Sequence, residues 1–349
     1  MSVALDPGPE TTAPLAPVSP HRLVDLVFRV REFGIIAVLL LLVVVTASIQ
    51  PRFLSLQELQ FILLDTTVFA LLAIGETMVV LTRNVDLSVG SVLGLAAYVS
   101  ANQFGTHPGT SIGVVFLVGA GIGLACGITN GLLTTIGRVP SLVVTLATLY
   151  IIRGIDTWLV GGGEVVANSL PNAFLHIPRA TIAGIPVLAI VVALGVAAAA
   201  YYLHSFRSGR ELYAIGSNPD AAQLAGIPIG RRVFTVFVVS GTLAGIAGVL
   251  WAARYGTIDS TAGTGYELTV ITAVVVGGVA IFGGSGSVVG AALGALLLNT
   301  INSALYVLGI SAFWDQAIAG LLLITAITID QMIKVQLTAA LRRRSRLGA

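Results

Sequence analysis

The chain has 349 residues, of which 56% are hydrophobic and only 10% are charged, and its formal net charge is +2. Soluble domains have about a quarter charged residues, so this composition indicates an integral membrane protein. The small net charge argues against a nucleic-acid partner, and the single cysteine, Cys126, excludes an internal disulfide. The four histidines are scattered through predicted loops and tails, so no metal site is expected.

The two ends of the chain are predicted to be tails. Residues 1–33 are polar and proline-rich, end in an amphipathic stretch, and lack the apolar surface needed to fold alone. The apolar run that follows is interpreted as an uncleaved first helix and not as a signal peptide. The predicted organisation is therefore a cytoplasmic N-terminal tail over 1–33, a transmembrane domain over 34–334 and a basic cytoplasmic tail over 335–349.

Apolar runs of about 20 residues are long enough to cross a bilayer as helices. Their number predicts an all-α polytopic membrane protein with about ten transmembrane helices. The predicted spans are 35–50, 59–82, 88–104, 111–135, 139–160, 182–203, 233–253, 267–282, 287–308 and 313–333.

The distribution of basic residues predicts the orientation of these spans. With the N-terminus inside, most Lys and Arg residues fall on the cytoplasmic side, whereas Arg52, Arg179 and Arg254 fall outside and Arg153 lies within a span. An even number of spans then places both termini in the cytoplasm. It also places the polar segment 205–232, between helices 6 and 7, on the cytoplasmic side.

The polar segment 205–232 alternates short helix-competent runs with Gly and Pro. The stretch Gly216-Ser217-Asn218-Pro219 is predicted to break a first short helix. Ser217 or Asn218 is predicted to cap a second one, which Gly226 closes. Two short helices held in this way would form a rigid knob. A transporter that receives force from a cytoplasmic motor needs such a knob, whereas a channel gains little from it.

Small and polar residues within the spans predict how the helices associate. Glycine recurs every four residues at Gly119, Gly123, Gly127 and Gly131, a pattern typical of close helix packing in lipid. Two pairs have the same spacing, Gly241 with Gly245 and Gly290 with Gly294. The glycine-rich segment 283–287 predicts a tight turn or a broken helix.

Polar side chains inside a membrane are costly, so each one calls for a partner or a function. Arg153 and Asp156 are three residues apart and can pair on one helical face. Asn299 and Asn302 also share a face, and their amides suit either interhelical bonding or recognition of hydroxyl groups. Glu267 stands at the start of a span, where a carboxylate also favours the helix N-terminus.

Four stretches of the chain resemble the permease subunits of bacterial ABC importers for monosaccharides, the ribose/galactose-type family. They are Thr82-Arg83-Asn84-Val85-Asp86-Leu87-Ser88-Val89-Gly90-Ser91, residues 139–149 with Arg153-Gly154, residues 209–227, and residues 265–287. The resemblance covers about residues 35–333. The chain looks most similar to autoinducer-2 and rhamnose permeases, because Thr82-Arg83-Asn84 stands where most ribose-type relatives carry a Gly-Gly pair.

The resemblance implies a multi-pass permease of the bacterial cytoplasmic membrane that translocates a monosaccharide or small polyol of the rhamnose, autoinducer-2 or ribose type. The implied partners are cytoplasmic ABC ATPase subunits, an extracytoplasmic sugar-binding protein, and a second permease that is either identical or different. The chain has no phosphate-binding loop, so ATP and Mg²⁺ are expected on the ATPases and no catalytic residue or cofactor is expected here.

The resemblance and the polar residues together predict two sets of functional residues. The predicted ATPase-coupling residues are Arg207, Gly209, Arg210, Glu211, Tyr213, Gly216, Asn218, Gly226 and Arg231. The predicted translocation path contains Asn84, Asp86, Thr148, Arg153, Glu267, Asn299 and Asn302.

Two alternatives remain open at this point. One is a branched-chain amino-acid ABC permease, which would carry a zwitterionic ligand. The other is an ion-coupled secondary sugar carrier, which would need titratable groups within the membrane and internal repeats. Asp65 and Glu76 could serve as such groups, but the sequence shows no convincing repeated halves.

Overall fold

The computed structural model of the chain describes residues 20–311 and 313–347, and the side chains of 33–311, 313–328 and 331–332. Most of the predicted N-terminal tail therefore lies outside the described residues. The helices are α1 Pro20–Ile49, α2 Leu56–Leu81, α3 Val89–Thr106, α4 Ile112–Thr135, α5 Ser141–Val160, α6 Asn172–His176, α7 Val187–Ser205, α8 Arg207–Ser217, α9 Pro219–Leu224, α10 Ile229–Tyr255, α11 Tyr266–Val276, α12 Val288–Val307 and α13 Phe313–Leu347. Strands β1 Thr181–Ile182 and β2 Ile185–Pro186 form a small antiparallel hairpin.

The described part of the chain is an almost entirely helical membrane protein. Six helices, α2, α4, α5, α7, α10 and α12, are long and apolar enough to cross a membrane, and Phe33–Ile49, Tyr266–Val276 and Phe313–Thr328 are shorter apolar segments. Every predicted span coincides with a helix, although two boundaries differ. The span predicted over 267–282 ends at Val276, because Gly278 has φ +99°. The span predicted over 182–203 begins later, at Val187, because the β-hairpin occupies its first residues.

The centre of the bundle is α10, which packs against α2, α3 and α4. The contact with α4 is made by the glycines that recur every four residues. A Cβ atom on Gly123 would lie 2.1 Å from the Gly241 carbonyl oxygen, and one on Gly245 would lie 2.1 Å from that of Gly119. Only glycine allows the two backbones to approach so closely, so the predicted close packing of these helices is confirmed.

Two irregular segments turn back into the bundle from opposite ends. Residues 82–88 follow α2 and return along it, so that the Asp86 N–H donates to Glu76 Oε1 at 3.1 Å. Residues 256–265 follow α10 and return towards α3. There, a Cβ atom on Gly90 would lie 2.5 Å from the Gly263 carbonyl oxygen. As a result, α3 and α11 both begin inside the bundle, with their first turns close together.

These two irregular segments lie at equivalent places in two sets of four helices that run in opposite directions. Helices α2 to α5 and α10 to α13 follow the same order, with α3 against α4 and α5, and α11 against α12 and α13. Helix α4 packs on α10, as α12 packs on α2, and α2 and α10 run antiparallel to each other. The sequence shows no convincing repeated halves, and the correspondence lies in the order of neighbouring helices and not in obvious residues. Inverted repeats occur in several transporter folds, so this one does not by itself favour a secondary carrier.

Candidate functional site

Helices α8 and α9 form a compact unit between α7 and α10, here called the α8–α9 module (residues 207–224). The Asn218 side chain accepts a hydrogen bond from the Ala221 N–H at 3.1 Å and caps α9, whose first residue is Pro219. Gly226 follows with φ +74°, a conformation that glycine adopts readily. The predicted pair of short helices and the glycine after the second one are confirmed, and of the two predicted caps it is Asn218 that caps α9, since Ser217 is the last residue of α8.

Glu211 ties the module to α10. Its Oε2 accepts from Arg232 Nε at 2.6 Å, and its Oε1 accepts from Arg207 Nε at 2.9 Å. The Glu211 side chain is only 8% exposed, which strengthens these charge-assisted bonds. The hydrogen bond from Arg232 is the main cause of a lowered pKa of the Glu211 carboxyl. Glu211 is therefore an internal brace of the module.

Gly216 places the end of α8 directly against two loops of the bundle. A Cβ atom on Gly216 would lie 1.9 Å from the Leu81 carbonyl oxygen and 2.2 Å from the Gly284 nitrogen. Arg83 closes the same contact, since its Nε and Nη2 donate to the carbonyl oxygens of Gly216 and Ser217 at 2.6 and 2.8 Å. The module thus contacts the segment after α2 and the glycine-rich segment before α12.

Tyr213 makes a second contact with that glycine-rich segment. Its hydroxyl donates to the Gly286 carbonyl oxygen at 3.1 Å. Burial raises the pKa of Tyr213 to about 12, so the hydroxyl stays protonated and remains a donor. The sequence predicted Tyr213 as an ATPase-coupling residue, but the structure turns its side chain inward, against the bundle.

The opposite face of the module is basic. Arg207 and Arg210 are exposed, as is Arg231 in the first turn of α10, while Gly209 is buried against α7. The Arg210 guanidinium donates to the Ser205 carbonyl oxygen at 2.7 Å, beside the last turn of α7. The apolar side chain of Leu224, at the end of α9, is 89% exposed. The predicted coupling residues therefore divide into an inner set that holds the module and an outer set that faces away from the bundle.

Asp86 and Thr148, predicted for the translocation path, lie in a closed polar network. Asp86 Oδ1 accepts from the Ser88 hydroxyl at 2.6 Å, and its Oδ2 accepts from the Ser240 hydroxyl at 3.4 Å. Asn130 donates to the Ser88 hydroxyl at 2.8 Å and accepts from the Thr148 hydroxyl at 2.8 Å. All five side chains are buried, and this network joins the start of α3 to α4, α5 and α10.

Three further residues of the predicted path support the irregular segments. The Asn84 amide donates to the Thr82 carbonyl oxygen at 3.0 Å within the 82–88 segment. Arg153 donates to the Ala262 carbonyl oxygen at 2.7 Å and pairs with Asp156 at 3.6 Å, as the spacing predicted. Glu267 lies in the first turn of α11, beside Gly90.

Asn299 and Asn302 do line a cavity. It has a volume of about 830 Å³ and lies between α2, α11, α12 and α13, towards the end of the bundle opposite the α8–α9 module. Sequence reasoning missed most of its other polar residues. The signal was present, because Asn299, Asn302, Ser303 and Tyr306 follow the spacing of one helical face. Among the described residues, no group of three or more His, Cys, Asp or Glu is placed to hold a metal ion.

A polytopic helical bundle with an inverted repeat and a braced module at one end defines a membrane transport subunit. The chain belongs to the family described as the permease component of branched-chain amino acid transport systems, which matches residues 59–327. It is accordingly a multi-pass protein of the inner membrane.

Relatives with more specific names cover nearly the whole chain. The ribose import permease protein RbsC of Escherichia coli (strain K12) is 34% identical over 317 residues, which are 90% of this chain and 97% of the relative. The autoinducer 2 import system permease protein LsrC of Enterobacter sp. (strain 638) is 35% identical over 308 residues, 88% of this chain and 89% of the relative. No solved structure matches the chain. The predicted family resemblance is confirmed.

Proposed function

We propose that the chain is the membrane-spanning subunit of an ATP-binding cassette importer for a monosaccharide or related small polyol. The observation that carries the proposal is the rigid attachment of the α8–α9 module through Gly216 and Arg83 to two loops of the bundle. The relatives named for ribose and autoinducer 2 import support a polyol substrate of the ribose, rhamnose or autoinducer-2 type.

The module has the features of a docking surface for a cytoplasmic ATPase. Its outer face offers exposed Arg207 and Arg210 and the exposed apolar side chain of Leu224, and Arg231 at the start of α10 is exposed as well. An apolar anchor surrounded by charge is typical of a specific protein interface. When the ATPases close on ATP, they would push on this face, and an extracytoplasmic binding protein would deliver the substrate at the other end.

The inner face of the module indicates how movement would reach the helices. Arg83 and Gly216 connect α8 to the 82–88 segment, and Asp86 in that segment connects onwards to α4, α5 and α10 through the buried network. Gly284 connects α8 to the start of α12. A displacement of the module would therefore move both halves of the inverted repeat, as alternating access requires.

The energy source and the ligand class can be tested together by uptake. In proteoliposomes that contain the complete complex and its binding protein, uptake of D-ribose or L-rhamnose should require internal ATP. It should continue when ionophores collapse proton and sodium gradients, and excess leucine should not compete. Uptake that follows an ion gradient without ATP would favour the secondary carrier, and competition by leucine would favour the amino-acid permease.

We further propose ten spans with both termini cytoplasmic, so that the module lies inside. With Cys126 replaced by Ser, a membrane-impermeant maleimide should label Asn168→Cys in intact cells, because residue 168 is exposed at the opposite end of the bundle. Ser217→Cys should be labelled only after the cells are permeabilised. Labelling of Ser217→Cys in intact cells would contradict the cytoplasmic position of the module.

A further inference from the structure

We propose that the cavity between α2, α11, α12 and α13 is an outward-facing binding site for one neutral cyclic polyol, formed within a single chain. The inference rests on the proposed import of a polyol and specifies where the substrate is held. The substrate would pass from the binding protein to this weak site in the membrane before the permease opens to the inside.

Four helices turn polar stripes towards this cavity in a chain that is otherwise strongly apolar. Helix α12 contributes Asn299, Asn302, Ser303 and Tyr306, at positions i, i+3, i+4 and i+7. The other helices contribute Glu58 and Asp65 from α2, Tyr266, Thr269 and Thr272 from α11, and Asp315 and Gln316 from α13. Polar groups on lipid-facing surfaces would be costly, so stripes that face one another indicate a shared polar ligand or water.

The cavity holds cationic as well as anionic groups, which favours a neutral ligand over a cation: Arg52 lines it beside the carboxylates of Glu58, Asp65 and Asp315. Asp65 Oδ1 accepts from Arg254 Nε at 3.1 Å and from the Tyr255 hydroxyl at 3.3 Å. Glu58 accepts a short hydrogen bond from the Ser303 hydroxyl. Each carboxylate still has an oxygen that could accept from a ligand hydroxyl, while the guanidinium groups of Arg52 and Arg254 offset two of the three negative charges.

Aromatic rings supply the apolar part of the site. Tyr266 stacks on Phe69 with ring centroids 4.5 Å apart, and the Trp251 indole N–H donates to the Tyr266 hydroxyl at 3.0 Å. These contacts hold the Tyr266 ring in place before any ligand binds. A sugar ring has apolar C–H faces and a polar rim, so aromatic walls with carboxylate and amide edges match its chemistry.

The depth of the cavity also suits a transport site. Asn299 lies eight residues before the end of α12 at Val307, which is about 12 Å along the helix. Asp65 lies nine residues after the start of α2 at Leu56, about 14 Å from that end. Both are then close to the middle of a hydrocarbon core about 30 Å thick, where transporters hold their substrates.

The first test is the double variant Asn299→Leu/Asn302→Leu in the complete importer, with D-ribose and L-rhamnose as probes. We expect uptake to fall about tenfold or more, since at least two hydrogen bonds to the substrate are lost. ATP hydrolysis stimulated by the binding protein should be retained, because the α8–α9 module is untouched. The matched control is Thr325→Leu/Thr328→Leu. It introduces two leucines at the same spacing on an exposed face of α13, and this variant should transport normally.

A second measurement detects occupancy without relying on transport. In a chain with Cys126→Ser, externally added maleimide should label Asn302→Cys, and the transported sugar should slow this reaction but not the labelling of Asn168→Cys. Normal uptake in the double variant, or labelling of residue 302 that no transported sugar slows, would overturn the proposed site. Neither result would affect ATP-driven import itself, whereas absence of ATP-driven sugar uptake by the unmodified complex would overturn the proposed function.

Discussion

Replacing Gly216 by alanine is expected to lower import strongly while the helix bundle stays folded. The added Cβ would lie 1.9 Å from the Leu81 carbonyl oxygen and 2.2 Å from the Gly284 nitrogen, and both are backbone atoms that cannot rotate away. The end of α8 would have to move outwards, which would break the bonds from Arg83 to Gly216 and Ser217. Uptake and binding-protein-stimulated ATP hydrolysis should then both fall about a hundredfold, because the loss of several contacts costs about 3 kcal/mol.

Gly230→Ala is the matched control for this experiment. Gly230 lies in the first turn of α10, just beyond the α8–α9 module, and no atom lies within 4 Å of its added Cβ. Alanine favours helix more than glycine does, so this variant should transport at least as well as the unmodified chain. If Gly216→Ala imported sugar normally with full stimulation of the ATPase, the module would not transmit movement through this contact.

Asp86→Ala is expected to lower the free energy of unfolding by about 3 kcal/mol. The Ser88 hydroxyl, the Ser88 N–H and the Ser240 hydroxyl all donate to the Asp86 carboxylate, and Ser88 and Ser240 are buried. Alanine would leave these donors without an acceptor, and each unpaired buried group costs about 1–3 kcal/mol. Because Ser88 also links to Asn130, the loss should spread to α4 and α5.

Thermal unfolding of the purified chain in detergent measures this effect. Asp86→Asn keeps one oxygen acceptor and should recover a large part of the loss, and Glu164→Ala, at an exposed acidic residue, should have no effect. An Asp86→Ala protein as stable as the unmodified chain would show that the network does not hold α3, α4 and α10 together.

The sequence was most informative where a single local rule controls the outcome. Apolar length located the helices, and the glycines spaced four residues apart predicted close helix packing at α4 and α10, although not that these two helices contact each other. The order of helix formers, Gly and Pro in 205–232 predicted the two helices of the module and the Asn218 cap. Even the Arg153–Asp156 pair followed from helical spacing, because both residues belong to the same turn.

Arg83 illustrates what local rules could not provide. It stands in a stretch where the resemblance predicts glycines, and its φ of 65° is a conformation that glycine would adopt without strain. The structure supplies the compensation, since its guanidinium reaches residues more than a hundred positions away in the chain. Such a bond depends on how α8 meets α2, and no pattern within the sequence around Arg83 encodes that meeting.

The sequence by itself determined that this protein is a polytopic helical membrane protein, because hydropathy, helical spacing and turn chemistry act over a few residues, and its resemblance to sugar permeases added the family. Only the tertiary structure decided which polar residues hydrogen-bond to one another and which line the same cavity. It placed Asp86 and Thr148 in a closed network and Asn299 and Asn302 on an open cavity, although all four are polar residues in or beside apolar spans. The physical reason is that lipid requires each polar group to find a partner, but the partner is set by helices that are distant in the chain and pack through glycine contacts.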